Sequence, residues 1–339
     1  MKAAVLVHYD RKGTDLEVRN VPIPVPEQDE VLVRIKAAAV NPLDNMIVRG
    51  EVKLIMPCKM PLIMGNEFSG VVEKTGSDTT RFKPGDRVYG RMPLKKIGAF
   101  AEYAAVKESA IAVIPDYLSY EAAATVPLTA LTAMQAFELM QVKAGNSVFI
   151  SGGTGGFGAM AIPIARRLGL HVYTSGSAEN EERVVKLGAE KFIDYQKENY
   201  ADGLTDVDYV IDTLGTHEIP KEFRILKSGG HLVSLRGMPN GRFAKRSGMS
   251  LCKRILFQLA GRKYDRMAAR KGQTYDFIFV HEDGHQLERA GKLFDKAHPL
   301  ETSIDAVFGL DQVNEAMNKV KYGHSKGKTI IIMGNHNMN

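Results

Sequence analysis

The sequence predicts an α/β protein of two domains: a barrel-like β domain, then a doubly wound parallel sheet, with the C-terminal stretch returning to the first domain. Three observations carry this reading. Up to about Tyr120 the chain is made of short β-rich runs divided by turn residues. After Tyr120 the apolar spacing lengthens to about 3.6 residues, and short apolar runs begin to alternate with helical segments. The first of those runs ends in a glycine-rich turn that opens a helix, at residues 148–158. The expected bounds are 1–122 for the first part of the β domain, 123–283 for the parallel-sheet domain and 284–339 for the return. A chain of 339 residues is long enough for two separate cores.

In chain order, strands are expected at residues 2–9, 30–40, 68–75, 87–90 and 100–106. Residues 21–26 put proline at every second position, which fixes φ and marks an extended connector. Lys83-Pro84-Gly85-Asp86 reads as a turn, with Pro presetting φ and Gly supplying the left-handed position. Beyond Tyr120, the Ala-, Leu- and Met-rich stretches at 121–124 and 131–141 read as helix. The parallel strands then fall at 147–151, 171–175, 191–194, 209–213, 231–235 and 277–280, with crossover helices at 157–168, 179–187 and 220–226. Pro163 sits about two turns into the first crossover helix and is expected to kink or shorten it. A helix near 286–296, a strand near 303–308, a helix at 311–321 and a last strand at 329–333 make up the return.

Composition excludes several classes. Hydrophobic residues at 44% and charged residues at 25% are ordinary globular values, and 32 Gly and 14 Pro follow no tandem period, so collagen-like, low-complexity and repeat architectures fall away. The longest apolar runs, such as 330–333, are far below the roughly 18 residues of a membrane helix, and the first residues lead into a strand rather than a leader. A cytoplasmic protein with no membrane span is expected. Only Cys58 and Cys252 are present, too few for a disulfide framework or a Cys-rich zinc site, and two free thiols suit a reducing compartment. The net charge of +6 is unevenly placed: residues 241–271 hold ten Lys or Arg against one acid, Asp265, a local +9 that leaves −3 for the rest. Such a block meets an anionic partner, forms a subunit contact or is a solvated face, and the solvated face is the commoner case.

The glycine turn is the most informative stretch. Gly153, Gly155 and Gly158 follow a strand and open a helix, as in a dinucleotide fingerprint: one glycine for the tight turn, one for close approach of backbone N–H groups to a pyrophosphate, one for packing of helix on strand. Gly152, Thr154, Gly156 and Phe157 belong to the same cradle. The acid that would hold an NAD ribose at the end of the second strand is missing, and Ser175, Gly176 and Ser177 stand there, with Asn180 and Arg183 close by. Hydroxyl and amide donors without a carboxylate favour a 2′-phosphate, hence NADP(H); Glu179, Glu181 or Glu182 would reverse this by folding back.

Several separated segments resemble one family, the medium-chain dehydrogenase/reductases, and within it the zinc-independent, zeta-crystallin-like quinone oxidoreductases. They are Asn41-Pro42-Leu43-Asp44, Gly65-Asn66-Glu67-Phe68-Ser69-Gly70, residues 81–90, 98–103 and 126–133, the glycine turn, and Gly323-His324-Ser325-Lys326-Gly327-Lys328. The resemblance implies a GroES-like β-barrel catalytic domain, a Rossmann domain with a cofactor cleft, hydride transfer from NADPH to quinones or α,β-unsaturated carbonyls, and a homodimer or homotetramer. Zinc-dependent relatives carry a cysteine after the strand that here ends at Val40 and a histidine in a Gly-His-Glu motif. This chain has Asn41 and Asn66 near those places, neither a serviceable zinc ligand, so no metal is expected.

By the same resemblance, Asn41 lies beside nicotinamide and substrate, where its amide donates to a developing enolate or quinol oxygen, and Asp44 orients that region. Thr129 resembles the threonine near the nicotinamide ribose and Tyr195 the contact to the adenosine phosphate. Thr213, Leu214 and Gly215, then Arg236 and Gly237, then Phe279 and Val280, resemble contacts along the cofactor, and Lys328 a residue approaching the phosphates. No tyrosine follows Asp44 as a proton donor. The reading is an NADPH-dependent, metal-independent reductase of a small quinone or enone. The alternatives are a metal-free alcohol or carbonyl dehydrogenase, or a cofactor-binding protein whose basic block meets a protein or nucleic acid. Nucleic acid is disfavoured, since Phe243, Phe257 and Tyr264 are the only aromatics in that block.

Overall fold

A computed structural model describes residues 1–11, 15–323 and 327–334. They form two compact units, Met1–Leu131 with His281–Asn339, and Thr132–Val280.

One long strand, Glu30–Val40, organises the first unit. It is buried along nearly its whole length, so its sequence does not alternate apolar with polar. Glu67–Thr75 runs antiparallel along its length, with register breaks at Leu32/Val33 and Ile35/Ala37. On its other side the first half pairs with Tyr103–Lys107 and the second half with Lys328–Ile332. Such breaks bend a strand, which is how one strand serves two neighbours and the sheet curls as a barrel does. The sheet order is Ile304–Gly309, Lys328–Ile332, Glu30–Val40, Glu67–Thr75, Arg87–Arg91, Ile111–Val113, and a small sheet of Glu17–Asn20, Lys2–Leu6 and Leu62–Ile63 completes the unit. Two registers matter below. Ala39 and Arg91 both face Glu67, and Thr329 faces Val40, so the last strand begins beside the end of the long one.

The second unit is a six-stranded, all-parallel sheet ordered Lys191–Asp194, His171–Gly176, Ser147–Ile150, Val207–Asp212, Leu226–Ser234, Thr274–Phe277. Numbered in sequence this is 3-2-1-4-5-6, the doubly wound order of the Rossmann fold. The core beneath it includes Phe149, Val210, Phe223, Leu232 and Tyr275.

One expectation needs correction, and two points left open by the sequence are resolved. The sixth strand is Thr274–Phe277, not 277–280: Asp276 masked it, and that carboxylate is buried against His231, Arg242 and Arg246. Residues 241–271, for which the sequence assigned no secondary structure, hold two helices, Gly241–Arg246 and Leu251–Ala269. Pro163 does not end the helix Gly156–Arg167, which continues for four more residues on a face of buried Met160, Ala161, Ile164 and Ala165. Packing there outweighs the one hydrogen bond that proline removes. No described helix is long and apolar enough to cross a membrane.

Glu222, on the helix Ile219–Ile225, is fully buried; burial first, then the charge of Asp212, pushes its carboxyl well above the ordinary range. Folded Glu222 therefore holds a proton that the unfolded side chain, with an ordinary value of 4.5, releases. Folding takes up a proton across that window, and stability falls as pH rises through it. Glu222→Gln, neutral at every pH, should match wild type in urea melts at about pH 4 and exceed it by about 1–3 kcal/mol at about pH 8. A difference that does not change with pH would show that Glu222 does not titrate.

Candidate active site

In the first unit, the register brings four chain segments to one buried polar cluster. Asn41 follows the long strand and precedes the helix Pro42–Val48; Pro42 gives that helix a preset first φ. The Asp44 carboxylate reaches back to accept the Asn41 backbone N–H at 2.8 Å, and the Asn66 amide donates to its other oxygen at 2.7 Å. The Asn41 side chain is turned away from its own helix. Its Nδ2 donates to Glu67 Oε1 at 2.8 Å and to the Ala39 carbonyl at 3.2 Å, while its Oδ1 accepts from Lys328 Nζ at 2.6 Å. Lys328 also donates to Glu67 Oε1 at 2.7 Å, and the other Glu67 oxygen accepts the backbone N–H of Leu128 at 2.7 Å. That last bond places a carboxylate on the N-terminal turn of the helix Pro127–Met140, where the helix dipole favours it.

Burial sets the electrostatics. Asp44 is pushed up to about 7, chiefly by burial and further by the charge of Glu67, against the pull of its two donors and of Lys328. Fully buried Arg91 is pushed down to about 10, with Glu282, Glu67 and Asp44 opposing the fall. Its Nη1 donates to the Met92 carbonyl at 2.7 Å, whereas Nε and Nη2 have no hydrogen-bond partner. Thr129, the residue after Leu128, is buried, its hydroxyl bonded to the carbonyls of Thr125 and Val126.

In the second unit, the glycine turn leaves the strand Ser147–Ile150 and enters the helix Gly156–Arg167. Gly152 adopts φ +62°, which favours glycine. A Cβ on Gly153 would lie 2.0 Å from Thr174 Oγ1, and one on Gly158 would lie 2.0 Å from the Gly153 carbonyl oxygen. Both glycines are required by packing. Gly155 differs: its φ is −80°, and a Cβ would find only the Gly152 carbonyl, at 3.6 Å. Nothing in the protein demands glycine there. A cavity of about 650 Å³ opens at the loop, lined by Gly152, Thr154, Gly155, Ser175, Gly176, Tyr195 and Leu214 and also by Lys197, Asn199, Tyr200, Glu218 and Lys221.

The comparisons agree with this layout. Residues 27–116 match the model for the alcohol dehydrogenase GroES-like domain, and residues 187–331 that for zinc-binding dehydrogenase. The chain is 30% identical to a mitochondrial NAD(P)H oxidoreductase of Danio rerio, over 98% of this chain and 91% of that one. The chain belongs to the medium-chain dehydrogenase/reductase superfamily. It is also 35% identical to the 2-methylene-furan-3-one reductase of Solanum lycopersicum over 70% of its own length, spanning 63% of that protein, and 34% identical to the chloroplastic NADPH-dependent alkenal/one oxidoreductase of Arabidopsis thaliana over 74% and 67%. Among solved structures, the quinone oxidoreductase of Coxiella burnetii superposes with a TM-score of 0.82 at 27% identity, covering 98% of this chain and 99% of that one. Within the superfamily the chain groups with quinone and alkenal oxidoreductases, which supports a nicotinamide cofactor.

The residues fit that cofactor. Gly155 leaves bare backbone where a side chain would fit the protein but would obstruct a pyrophosphate, and the cavity runs from the turn past Ser175 to Tyr195. Gly215 and Arg236 lie side by side, and Thr213 is tied to Ser151 through both its N–H and its hydroxyl. Ser177 and Asn180 bond each other at 3.0 Å outside the cavity lining, with Glu179 at 3.5 Å from both. Phe279 and Val280 follow the sixth strand in irregular chain, and His324 to Lys326 lie outside the described residues. Asn41, Asp44, Thr129 and Lys328 belong to the first unit. Sequence reading did not assign roles to Glu67 and Arg91; only their positions in strands, facing each other, reveal them. Where metal-dependent relatives of the superfamily hold zinc, Asn41 and Asn66 turn their amide nitrogens to carboxylates, which is donor chemistry and not metal ligation.

The two kinds of glycine predict two kinds of failure. Gly155→Val should keep the wild-type melting temperature yet lose dinucleotide binding by at least about 100-fold in calorimetric titration. Gly158→Val should fail in the melt itself. Wild-type affinity in folded Gly155→Val would remove the assignment of the cavity.

Proposed function

We propose that the protein is an NADPH-dependent, metal-independent reductase that delivers hydride to a quinone or an α,β-unsaturated carbonyl. The observation that carries this reading is the buried amide, carboxylate and ammonium cluster at Asn41, Glu67 and Lys328, which supplies hydrogen-bond donors where metal-dependent relatives supply ligands. When bound, the nicotinamide supplies the hydride. The protein's own residues hold and polarise. Glu67 fixes the plane of the Asn41 amide, and the N–H now given to the Ala39 carbonyl at 3.2 Å, the longer of its two bonds, is the one a substrate oxygen takes as negative charge develops on it. Lys328 makes two of the three hydrogen bonds an ammonium can donate, to the Asn41 carbonyl oxygen and to Glu67, and so holds both in place.

NADPH is preferred because the strand His171–Gly176 itself ends without a carboxylate and Arg183, whose guanidinium donates to the Thr154 carbonyl in the cavity lining, supplies a cation for a 2′-phosphate; Glu179, beside Ser177 and Asn180, is the opposing feature. The relatives named for NADPH and for alkenal or furanone reduction support the cofactor and the substrate class. A cytoplasmic site of action and a homodimer or homotetramer belong to the same proposal, and gel filtration with light scattering tests the latter.

Metal-stripped enzyme should oxidise NADPH at least about tenfold more efficiently than NADH with quinones and enones, followed at 340 nm, and leave simple ketones and aldehydes untouched. Equal use of NADH would sink the cofactor assignment, and activity restored only by zinc would sink metal independence. Asn41→Ala should lower kcat by about 10- to 100-fold with NADPH affinity within about twofold. Unchanged turnover would make Asn41 purely structural.

A further inference from the structure

The helix Leu251–Ala269 has no part in the proposed reaction. Its inward face is Phe257, Gly261, Tyr264 and Ala268, spaced as one side of a helix and all buried. The opposite side begins with Leu251, Ile255 and Leu259, which are 71%, 51% and 63% exposed, with Leu256 beside them at 47%. The next turns of the same outward side carry Arg262, Lys263, Arg266 and Arg270, all exposed. Asp265, the block's one acid, points inward and accepts from the Asn240 amide at 2.8 Å. The outward face is therefore apolar over its first half and cationic over its second, each about 12 Å long.

We propose that this face docks on an anionic lipid bilayer, with Leu251, Ile255 and Leu259 entering the headgroup boundary and the arginines lying on lipid phosphates. Charge and shape select this occupant. The local +9 stands against −3 for the rest of the chain, so a negative surface both attracts the protein and orients it. A second copy offers no complement: laid parallel, the arginines meet arginines, and laid antiparallel they meet leucines. Nucleic acid would accept the charge but not the leucines, and the block's aromatics, Phe243, Phe257 and Tyr264, are buried and offer no stacking surface. An apolar and basic strip on one helix face is the chemistry of interfacial membrane binding. The inference stands independently of the proposed reaction, though a membrane-dissolved quinone would be delivered by it.

The test is co-sedimentation of the full chain with vesicles of phosphatidylglycerol and phosphatidylcholine, against phosphatidylcholine alone, at about 50 mM salt. Binding to the anionic vesicles should be at least about tenfold stronger. Ile255→Ser with Leu259→Ser should weaken it about tenfold at constant charge, and Arg262→Glu with Arg266→Glu should abolish it, both pairs keeping the wild-type melting temperature and NADPH affinity. The proposal falls if anionic vesicles are not preferred, or if the serine pair binds as wild type does, which is adsorption by charge alone. It falls equally if the serine pair converts an oligomer to a smaller species while vesicles stay unbound, marking a subunit interface, or if single-stranded RNA binds and vesicles do not.

Discussion

The carboxylate of Glu67 is the point on which the first unit's polar interior depends. It is buried and accepts three hydrogen bonds from three distant parts of the chain: the Asn41 amide, the Lys328 ammonium and the Leu128 backbone N–H. Each donor arrives by a different route. Asn41 ends the long strand, Lys328 opens the last one, and Leu128 stands in the first turn of a helix. Removing such an acceptor would leave three buried donors unsatisfied at about 1–3 kcal/mol each, and more for the ammonium. A single side chain thus fixes the register of two strands and the start of a helix, and the cluster proposed to meet substrate follows from that register.

The second unit rests on a different constraint, absence of side chains rather than presence of charge. Gly158 allows the helix Gly156–Arg167 to sit against the turn at Gly153, and Gly153 allows the turn to sit against Thr174 of the neighbouring strand, at distances that a Cβ would forbid. The cavity opens at this turn, lined by Gly152, Thr154 and Gly155 just before the helix begins. Gly155 and Gly156 are left over by this packing argument: a Cβ would meet only the Gly152 carbonyl, at 3.6 Å, at the first and nothing within 4 Å at the second, so the proposed ligand rather than packing would select glycine there.

Much of this was legible in the sequence, because it depends on local pattern. The glycine turn, the change of period after Tyr120 and the alternation of strands with helices are short-range signals, and the doubly wound parallel sheet followed from them. What was hidden depends on partners far along the chain. Asp276 fell outside the expected strand, because a carboxylate there is accounted for only by His231, Arg242 and Arg246 around it. The helix Leu251–Ala269 was hidden because its leucines lie outside while its buried side is built from Gly261, Tyr264 and Ala268, with Gly261 close to Asn240 where a Cβ would not fit. Glu67 and Arg91 gave no sign of their roles, since a charged residue in a strand usually faces water.

Charge balance explains why the cluster is made as it is. Lys328 and Arg91 are cations, Glu67 and Glu282 carboxylates, and these four already cancel. Asp44 is a fifth charge in a place shielded from water, and burial together with the neighbouring Glu67 holds it near 7 even though two donors favour its anion. Amides at Asn41 and Asn66 connect the carboxylates without adding to this charge. A thiolate and an imidazole at the same positions would need a cation to offset them, which is what a metal provides in metal-dependent relatives. The two asparagines and the lysine form a self-consistent alternative: the polar cluster is held together by hydrogen bonds within the chain, and its charge is near neutral before any substrate arrives. In the proposed reaction, an oxygen that becomes negative would meet an ammonium and an amide rather than an excess of carboxylate, a favourable field for hydride acceptors whose charge develops on oxygen.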